Sequence, residues 1–338
     1  MNEGAPQAGI VDLDFYVPER FQSAAELAEL SGVPGDVIQS KFGLVGKHVS
    51  SSDEHVSDMC VAAARPVLDR NDPDDIDAVI YFGSHWKDFP VWQAAPKIQH
   101  DLGLSGFAME MINVSAGAPV ALKVVKDMLV ADENLGSVLL VGASKESHLI
   151  DFSNPRGRFM FNFGDGAVAV LLRRGHTENL VLGSSFITDG SFSSHVRVPA
   201  GGSVNPASSD TVSRGMHFLD LHDGEEMKRR LDPITLKNFI TVAREALDRS
   251  GKAMSDIDLM IPIHTKRSLF EDLLREFGLR PEQAMYLDHH GHMSAVDPLL
   301  GLCLARDEGR LNPGDVILLL AAGTGYTWAA TVVQWGPR

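Results

Sequence analysis

The sequence is poor in cysteine and in positive charge. Only Cys60 and Cys303 occur among 338 residues, each within an apolar stretch of helical spacing, so a disulfide framework and a four-cysteine zinc site are excluded. The chain has 30 lysine and arginine residues and 45 aspartate and glutamate residues, which gives a formal net charge of −15. A protein that binds duplex nucleic acid needs a basic face to neutralise phosphates, so the acidity argues against that partner.

Long hydrophobic runs are also missing. The longest continuous apolar stretch covers residues 316–322, far below the roughly 20 residues that a membrane-spanning helix needs. Residues 1–9 contain neither the basic segment nor the apolar segment of a secretory signal peptide. Together with the low cysteine content, these absences predict a cytoplasmic protein that does not associate with a membrane.

An internal repeat is present. The composition, 44% hydrophobic and 22% charged, is that of an ordinary globular protein, and the length allows about two domains of roughly 150 residues each. Four short segments recur in the same order, displaced by 178 to 181 residues. The paired segments are 64–70 with 243–249, 75–80 with 256–261, 115–119 with 294–298, and 134–138 with 312–316. The repeat predicts an N-terminal half at 1–173 and a related C-terminal half at 174–338.

Each half alternates helices with short apolar strands. Residues 59–68 and 239–247 carry apolar side chains at helical spacing. Four runs are continuously apolar, as in strands buried on both faces of a sheet: 78–82, 138–141, 259–263 and 316–320. Helices that alternate with buried strands indicate parallel sheets with crossover helices. The sequence therefore predicts an α/β fold of two pseudo-symmetric halves in five layers, α/β/α/β/α, with equivalent loops meeting at the centre.

Ser115 is the first candidate for chemistry, since it lies between a strand-like stretch at 107–114 and a predicted helix at 116–130. A hydroxyl at a strand-to-helix turn lies over the N-terminal amides of the helix, a favourable place for a nucleophile and its oxyanion. Serine is also a preferred N-cap residue. The local sequence leaves both interpretations open.

Histidines provide the other candidates. The loop 288–297 contains His289, His290 and His292, but their spacing lacks the helical pattern and the accompanying ligands of a zinc site, so no metal is predicted. His264 ends a predicted buried strand, where open α/β sheets place functional groups. A satisfied structural histidine is the alternative for His264.

Several motifs in fixed order resemble the thiolase-fold ketosynthase III family. The main matches are NVSAG at 113–117, IPIH at 261–264, HGHMSA at 290–295 and GTGYTW at 323–328. Further matches are FGDGA at 163–167, DGS at 189–191 and VPAGGS at 198–203. The resemblance extends from about residue 9 to residue 335. It implies the same duplicated fold that the internal repeat predicts.

Two departures from the family pattern concern the candidate site. Family members usually have cysteine where Ser115 stands and asparagine where His292 stands. A thiol ionises near neutral pH with modest help, whereas a serine hydroxyl must pass its proton to a base as it attacks. His292 can be that base, and Asp297 in the first turn of the next helix can orient its ring. The sequence thus predicts a Ser115–His292–Asp297 triad.

The serine-bearing pattern is similar to the starter-unit enzymes of daunorubicin-type aromatic polyketide pathways. That similarity implies that acyl-CoA, with propionyl as the acyl group, acylates Ser115 while the backbone amides of Ser115 and Thr324 hold the oxyanion. Malonyl on an acyl carrier protein then loses carbon dioxide, the enolate attacks the acyl ester, and His264 stabilises the enolate oxygen. No cofactor is implied beyond acyl-CoA as substrate.

Two other functions remain open at this point. An acyltransferase moving a short acyl group to a hydroxyl, an amine or a carrier-protein thiol without condensation uses the same acylation of Ser115. A catalytically silent subunit that gates a partner ketosynthase is the third interpretation. Retention of His264 favours condensation, because simple ester exchange forms no enolate.

Substrate access differs from the family as well. Val37 stands where many members have tryptophan, and Lys41 stands where they have arginine, so the family's clamp on the adenine of CoA is not predicted. His195, within residues 193–197, is a further candidate to reach the site, but a structural role is the favoured interpretation.

Partners follow from charge and from the family. An acidic carrier protein needs a local basic patch, and the candidates are Lys266, Arg267, Arg156 and Arg158; ordinary solvated surface charges are the alternative. The resemblance implies a homodimer, and the stretch 107–113 is the predicted edge strand that pairs across a twofold axis. Residues 89–92 are then expected to reach the neighbouring pocket.

Overall fold

A computed structural model describes residues 7–337 of the chain. The sequence predicts no signal peptide at residues 1–9. Residues 1–6 of that stretch lie outside the described residues. Within 7–337, no helix combines the length and the apolar character required to cross a bilayer.

The described range contains nine α-helices and thirteen strands. The helices are α1 Ala24–Ser31, α2 Gly35–Val37, α3 Val56–Arg70, α4 Ala94–Asp101, α5 Gly117–Ala131, α6 Ser209–Ser213, α7 Gly224–Arg249, α8 Arg267–Phe277 and α9 Asp297–Asp307. The strands are β1 Ala8–Tyr16, β2 Phe21–Ser23, β3 Gly46–His48, β4 Ala78–Tyr81, β5 Phe107–Glu110, β6 Ser137–Ser144, β7 Gly166–Arg174, β8 Glu178–Thr188, β9 Val196–Arg197, β10 Asp220–Leu221, β11 Leu259–Pro262, β12 Val316–Gly323 and β13 Thr327–Pro337. A π-helical turn, Ile38–Phe42, follows α2.

Nine of these strands form one sheet in the order β11-β12-β13-β8-β1-β7-β6-β4-β5. The order on the two sides of the β8–β1 junction is equivalent: β8-β13-β12-β11 repeats β1-β7-β6-β4. The pairings also repeat, since β4–β6 and β11–β12 are parallel while β6–β7 and β12–β13 are antiparallel. The predicted α/β fold with two related halves is confirmed, and the boundary between residues 173 and 174 stays a prediction.

Three of the four hydrophobic cores within residues 7–337 lie between the layers. Helices α5 and α9 share the central core with one face of both half-sheets, whereas α3 and α4 cover the outer face of one half and α7 and α8 that of the other. Strand β4 shows the alternation: Ala78 and Ile80 face the central helices, and Val79 and Tyr81 face α3 and α4. Because both faces are buried, the strand is apolar throughout.

The N-termini of α5 and α9 approach each other closely at the centre. A Cβ atom added to Gly117 would lie 2.8 Å from the Ala295 Cβ and 2.9 Å from the Phe82 carbonyl oxygen. Only glycine permits this contact, because the neighbouring atoms are backbone or part of a packed turn. The contact brings the turn 114–116 of one half next to the turn 294–296 of the other.

A buried lysine braces the segment that precedes β7. Lys47, in β3, is 0% exposed, and its Nζ donates hydrogen bonds to the carbonyl oxygens of Phe161 at 2.9 Å and Phe163 at 2.6 Å. Desolvation by burial lowers the pKa of Lys47 from 10.5 to about 7.

Replacing Lys47 by methionine is expected to change how stability depends on pH. Between pH 7 and pH 10.5 the unfolded wild-type chain holds a proton at Lys47 that the folded chain has released, so raising the pH favours the folded state. In urea unfolding, the free energy of unfolding of the wild type relative to Lys47→Met should therefore rise by up to about 1.4 kcal/mol per pH unit in this window. A difference that does not vary with pH contradicts the lowered pKa.

Candidate active site

Ser115 lies in a tight turn between β5 and α5. Strand β5 ends at Glu110, and Val114 adopts a left-handed conformation with φ 45°, which costs a β-branched residue about 1–3 kcal/mol. This turn places Ser115 two residues before the start of α5. The N-cap of α5 is Ala116, which makes no side-chain capping bond, and the Ser115 hydroxyl contacts a histidine instead. The N-cap interpretation of Ser115 is therefore wrong.

Ser115, His292 and Asp297 form one hydrogen-bonded chain. The Ser115 Oγ lies 2.8 Å from His292 Nε2, and His292 Nδ1 lies 2.6 Å from Asp297 Oδ2. Since the carboxylate can only accept, Nδ1 carries the proton and Nε2 is the acceptor for the serine hydroxyl. This is the tautomer that a general base needs. The structure brings together the three residues of the predicted triad.

Asp297 is the buried anchor of the site. It is 0% exposed and begins α9, where the helix dipole favours negative charge. Besides the His292 ring, its carboxylate accepts the backbone N–H of Met293 at 2.6 Å and that of His264 at 2.8 Å. These donors compensate the loss of hydration that burial imposes on the charge. The same contacts hold both histidines at fixed positions.

His264 follows β11 and lies on the other side of Asp297. Its Nδ1 is 2.8 Å from the Asn162 Nδ2, and its Nε2 is 3.1 Å from the Gly43 carbonyl oxygen. Burial lowers the pKa of His264 to about 4, so the ring is neutral at physiological pH. The carbonyl requires the proton on Nε2, and this N–H is already engaged with Gly43.

The predicted oxyanion hole lies where β12 meets the Ser115 turn. A Cβ atom on Gly323 would lie 2.8 Å from the Ala116 backbone nitrogen and 3.1 Å from that of Ser115. Thr324, the other residue of the predicted hole, follows Gly323 directly in the chain. The oxyanion-hole role of the Ser115 and Thr324 amides stays a prediction.

Replacing Gly323 by alanine is therefore expected to slow acylation of Ser115 by about 10²-fold or more, because displacing a reacting group by about 1 Å costs that much. Single-turnover acylation followed by intact-protein mass spectrometry measures the effect. Gly202→Ala is the matched control, since apart from its chain neighbours no atom of residues 7–337 lies within 4 Å of a Cβ atom there. Equal rates for Gly323→Ala and the wild type contradict the tight fit.

The remaining candidates lie outside this hydrogen-bonded group. His195 is buried, with its ring against Phe192 and its Nε2 3.5 Å from Glu226. Val37 ends α2, and the exposed Lys41 lies in the π-helical turn that leads to Gly43. The segment 37–43, which holds the two departures in substrate access, therefore ends at the carbonyl that binds His264.

The four basic candidates differ in their surroundings. Arg156 forms two hydrogen bonds to Asp220, at 3.0 and 2.8 Å, and Arg267 stacks over the Tyr286 ring at 4.1 Å. Lys266 and Arg158 are exposed.

Two residues of the site, Asn162 and Gly43, are not among the predicted ones. Asn162 directly precedes the FGDGA motif, and that adjacency is the only signal that pointed to it. No sequence signal pointed to Gly43, because the group that contacts His264 is the backbone carbonyl of Gly43. The two residues are 221 positions apart in the chain.

A sheet folded around two central helices, with the Ser115 turn before the N-terminus of one of them, is the thiolase fold of acyl-transferring enzymes. The family model described as "3-Oxoacyl-[acyl-carrier-protein (ACP)] synthase III" matches residues 109–190, and the C-terminal model of the same family matches 247–335. Together they cover just over half of the chain. The chain belongs to the 3-oxoacyl-[acyl-carrier-protein] synthase III family of condensing acyltransferases.

Individual relatives agree. A beta-ketoacyl-[acyl-carrier-protein] synthase III of Syntrophomonas wolfei is 28% identical over 333 residues, 97% of each chain. The solved structure of the enzyme of that name from Thermus thermophilus is 26% identical, with a TM-score of 0.84 over 98% of this chain and 100% of that chain. The priming beta-ketosynthase of the R1128 polyketide pathway shares the fold, with 20% identity and a TM-score of 0.84 over 100% of this chain and 99% of that chain.

Proposed function

We propose that this chain is a priming enzyme of polyketide synthesis. It loads a short acyl group, propionyl by preference, from acyl-CoA onto Ser115 and condenses it decarboxylatively with malonyl-acyl carrier protein. The observation that carries the proposal is the chain from Ser115 through His292 to Asp297, with distances of 2.8 and 2.6 Å. A serine hydroxyl needs such a base, whereas a cysteine thiol ionises near neutral pH with modest help. The proposal requires no metal or cofactor and places the enzyme in the cytoplasm.

Acylation is the first half-reaction. The Ser115 Oγ attacks the thioester carbonyl carbon while its proton passes to His292 Nε2, and ionised Asp297 stabilises the imidazolium. The backbone N–H groups of Ser115 and Thr324 hold the oxyanion. When the intermediate collapses, the C–S bond breaks, the CoA thiolate leaves and takes up a proton, and the acyl ester remains on Ser115.

Condensation is the second half-reaction. The malonyl thioester loses carbon dioxide, the electron pair of the broken C–C bond forms an enolate, and the enolate carbon attacks the acyl ester. The C–O bond to Ser115 breaks, and the oxygen regains a proton through His292; the whole cycle takes up one proton from solvent. The Nε2–H of His264 stabilises the enolate oxygen by a hydrogen bond.

An acyltransferase without condensation is the second candidate. One observation favours it: the Nε2–H of His264 is engaged with Gly43 at 3.1 Å and must turn to, or be shared with, an enolate oxygen before it stabilises one. The presence of His264 argues against this candidate, because ester exchange does not require that histidine.

Propionyl-CoA and malonyl-acyl carrier protein distinguish the candidates. We expect a propionyl adduct on the intact protein that Ser115→Ala abolishes and Ser294→Ala retains, since Ser294 is the repeat equivalent of Ser115. We also expect a 3-oxoacyl product on the carrier protein. Acyl transfer to an alcohol without that product overturns condensation, and a wild type without any adduct indicates a silent subunit. A mixture of acyl-CoA thioesters tests the preference for propionyl by the mass of the adduct.

Docking of the acidic carrier protein is proposed at the predicted basic residues. Lys266 and Arg158 are the stronger candidates, because the guanidinium groups of Arg156 and Arg267 already bind Asp220 and the Tyr286 ring. Lys266 also follows His264 by two residues, which places a docked carrier close to the site.

A homodimer is the expected assembly. Strand β5 lies at the edge of the nine-stranded sheet, and Phe107 and Phe89 are 47% and 62% exposed. An unpaired edge with apolar side chains favours pairing with a second β5 across a twofold axis, which also brings residues 89–92 to the partner's pocket. Light scattering at micromolar concentration should give about twice 36.7 kDa. A mass near the monomer contradicts the dimer and leaves the Ser115 proposal intact.

A further inference from the structure

Asn162 contacts both active-site histidines by different groups. Its side-chain Nδ2 lies 2.8 Å from the His264 Nδ1. Its backbone carbonyl oxygen accepts a hydrogen bond from the backbone N–H of His292 at 2.8 Å. The residue is 8% exposed. Family members usually have asparagine where His292 stands. In this chain the side-chain amide of Asn162 lies beside the site instead.

The partners of His264 determine what Asn162 does to the ring. Gly43 offers only a carbonyl oxygen, 3.1 Å from Nε2, so Nε2 must carry the proton. On a neutral ring Nδ1 then presents a lone pair, which accepts a hydrogen from the Asn162 amide. The two contacts together select one tautomer.

The orientation of the Asn162 amide is costly for Asn162 itself. Its Oδ1 is buried and has no hydrogen-bond partner among residues 7–337, and buried polar atoms are rarely left unpaired. Rotating the amide by half a turn would place Oδ1 against the lone pair of His264 Nδ1, which is repulsive. The amide therefore donates a hydrogen bond to the His264 ring while its own oxygen stays unpaired among the described residues.

The backbone around Asn162 is held from both sides. Lys47 Nζ donates to the carbonyl oxygens of Phe161 and Phe163, the residues before and after it, at 2.9 and 2.6 Å. The Gly164 N–H donates to the His292 carbonyl oxygen at 2.9 Å. These contacts hold backbone groups and do not involve the Asn162 side chain. A substitution of that side chain can therefore change the protonation of the His264 ring while the backbone stays in place.

We propose that Asn162 is a positioning residue for the condensation step: its amide holds the His264 ring neutral with the proton on Nε2, which makes Nε2–H the donor for the enolate oxygen. This role rests on the proposed condensing function. Asn162 touches His292 only through the backbone, so acylation and condensation depend on its side chain differently.

The test compares Asn162→Leu, of similar size but without the amide, with Asn162→Asp. In Asn162→Leu we expect condensation to slow by about 10²-fold, the loss typical of a misplaced or missing donor, while single-turnover acylation of Ser115 stays within about threefold. Asn71→Leu is the matched control, because the Asn71 amide donates to Asp12 and Val67 away from the site. It should change neither rate.

Asn162→Asp tests the ring directly. A carboxylate beside Nδ1 favours imidazolium, so His264 should protonate at a higher pH than in the wild type. Histidine ¹⁵N chemical shifts, assigned with His264→Gln, should show the Nε2–H tautomer in the wild type and a protonated ring near neutral pH in Asn162→Asp.

Equal losses of both half-reactions in Asn162→Leu indicate a merely structural role and overturn the proposal. A ring that keeps the wild-type tautomer and pKa in Asn162→Asp overturns it as well. If the wild type acylates Ser115 but forms no 3-oxoacyl product, the proposed function fails instead, and the ¹⁵N spectra still decide whether Asn162 sets the state of His264.

Discussion

Replacing His292 by alanine is expected to slow acylation of Ser115 by on the order of 10³-fold or more, as loss of the base does in other triads. The reason is the 2.8 Å contact between His292 Nε2 and the Ser115 Oγ, since no other ring nitrogen within residues 7–337 accepts from that hydroxyl. Binding of acyl-CoA should change little, because the imidazole acts on the proton and not on the thioester. Single-turnover acylation with propionyl-CoA at saturating and limiting concentration separates the two effects.

The neighbouring His290 supplies the control for that experiment. It lies in the same loop with its ring 5.5 Å from the His48 ring, so His290→Ala removes the same side chain without removing the base. Asp297→Asn should lower acylation in the same direction as His292→Ala, because an amide nitrogen facing Nδ1 no longer holds its proton. Equal losses in His290→Ala and His292→Ala mean that the loop, and not the base, is required.

His264→Ala is expected to leave acylation within about threefold of the wild type and to slow condensation by 10²- to 10³-fold, the loss found when one donor to a developing oxyanion is removed. Acylation survives because the His264 contact with Asp297 runs through the backbone N–H, at 2.8 Å, and alanine keeps that bond. The rate of 3-oxoacyl product formation on pre-acylated enzyme measures the second step alone.

The pH profile provides an independent check on His264. Because burial lowers the pKa of this ring to about 4, condensation on pre-acylated enzyme should show no titration of His264 between about pH 5 and 8. Equal losses of acylation in His264→Ala and His292→Ala show that the two roles are divided wrongly.

The strands were predictable because their signal is local. Runs such as 78–82 and 316–320 are apolar at every position, and only burial on both faces explains that pattern. The stretch 107–114 was predicted as strand to its end, but β5 stops at Glu110. The left-handed conformation of Val114, with φ 45°, is imposed by the packing of two turns and has no signature in a valine.

Helix boundaries were less accessible. The predicted helix at 239–247 belongs to α7, which begins already at Gly224 and contains Pro233. In its N-terminal half the apolar residues Met227, Leu231 and Ile234 stand among many charged residues, which obscures the apolar stripe by which helices are recognised from sequence. Capping of Gly224–Arg249 by the Asp223 side chain is visible only once the start of the helix is known.

The sequence by itself determined the chemical groups of this site and the fold that carries them. Ser115 in place of a thiol, His292 in place of an amide and a carboxylate five residues further on predict an acylation site, and the repeat predicts the two halves that meet there. Tertiary structure decided the protonation of those groups. Which nitrogen of His264 holds the proton depends on Gly43 and Asn162, which lie 221 and 102 residues away in the chain. Hydrogen bonds of about 3 Å between such distant segments arise only when the whole core is packed.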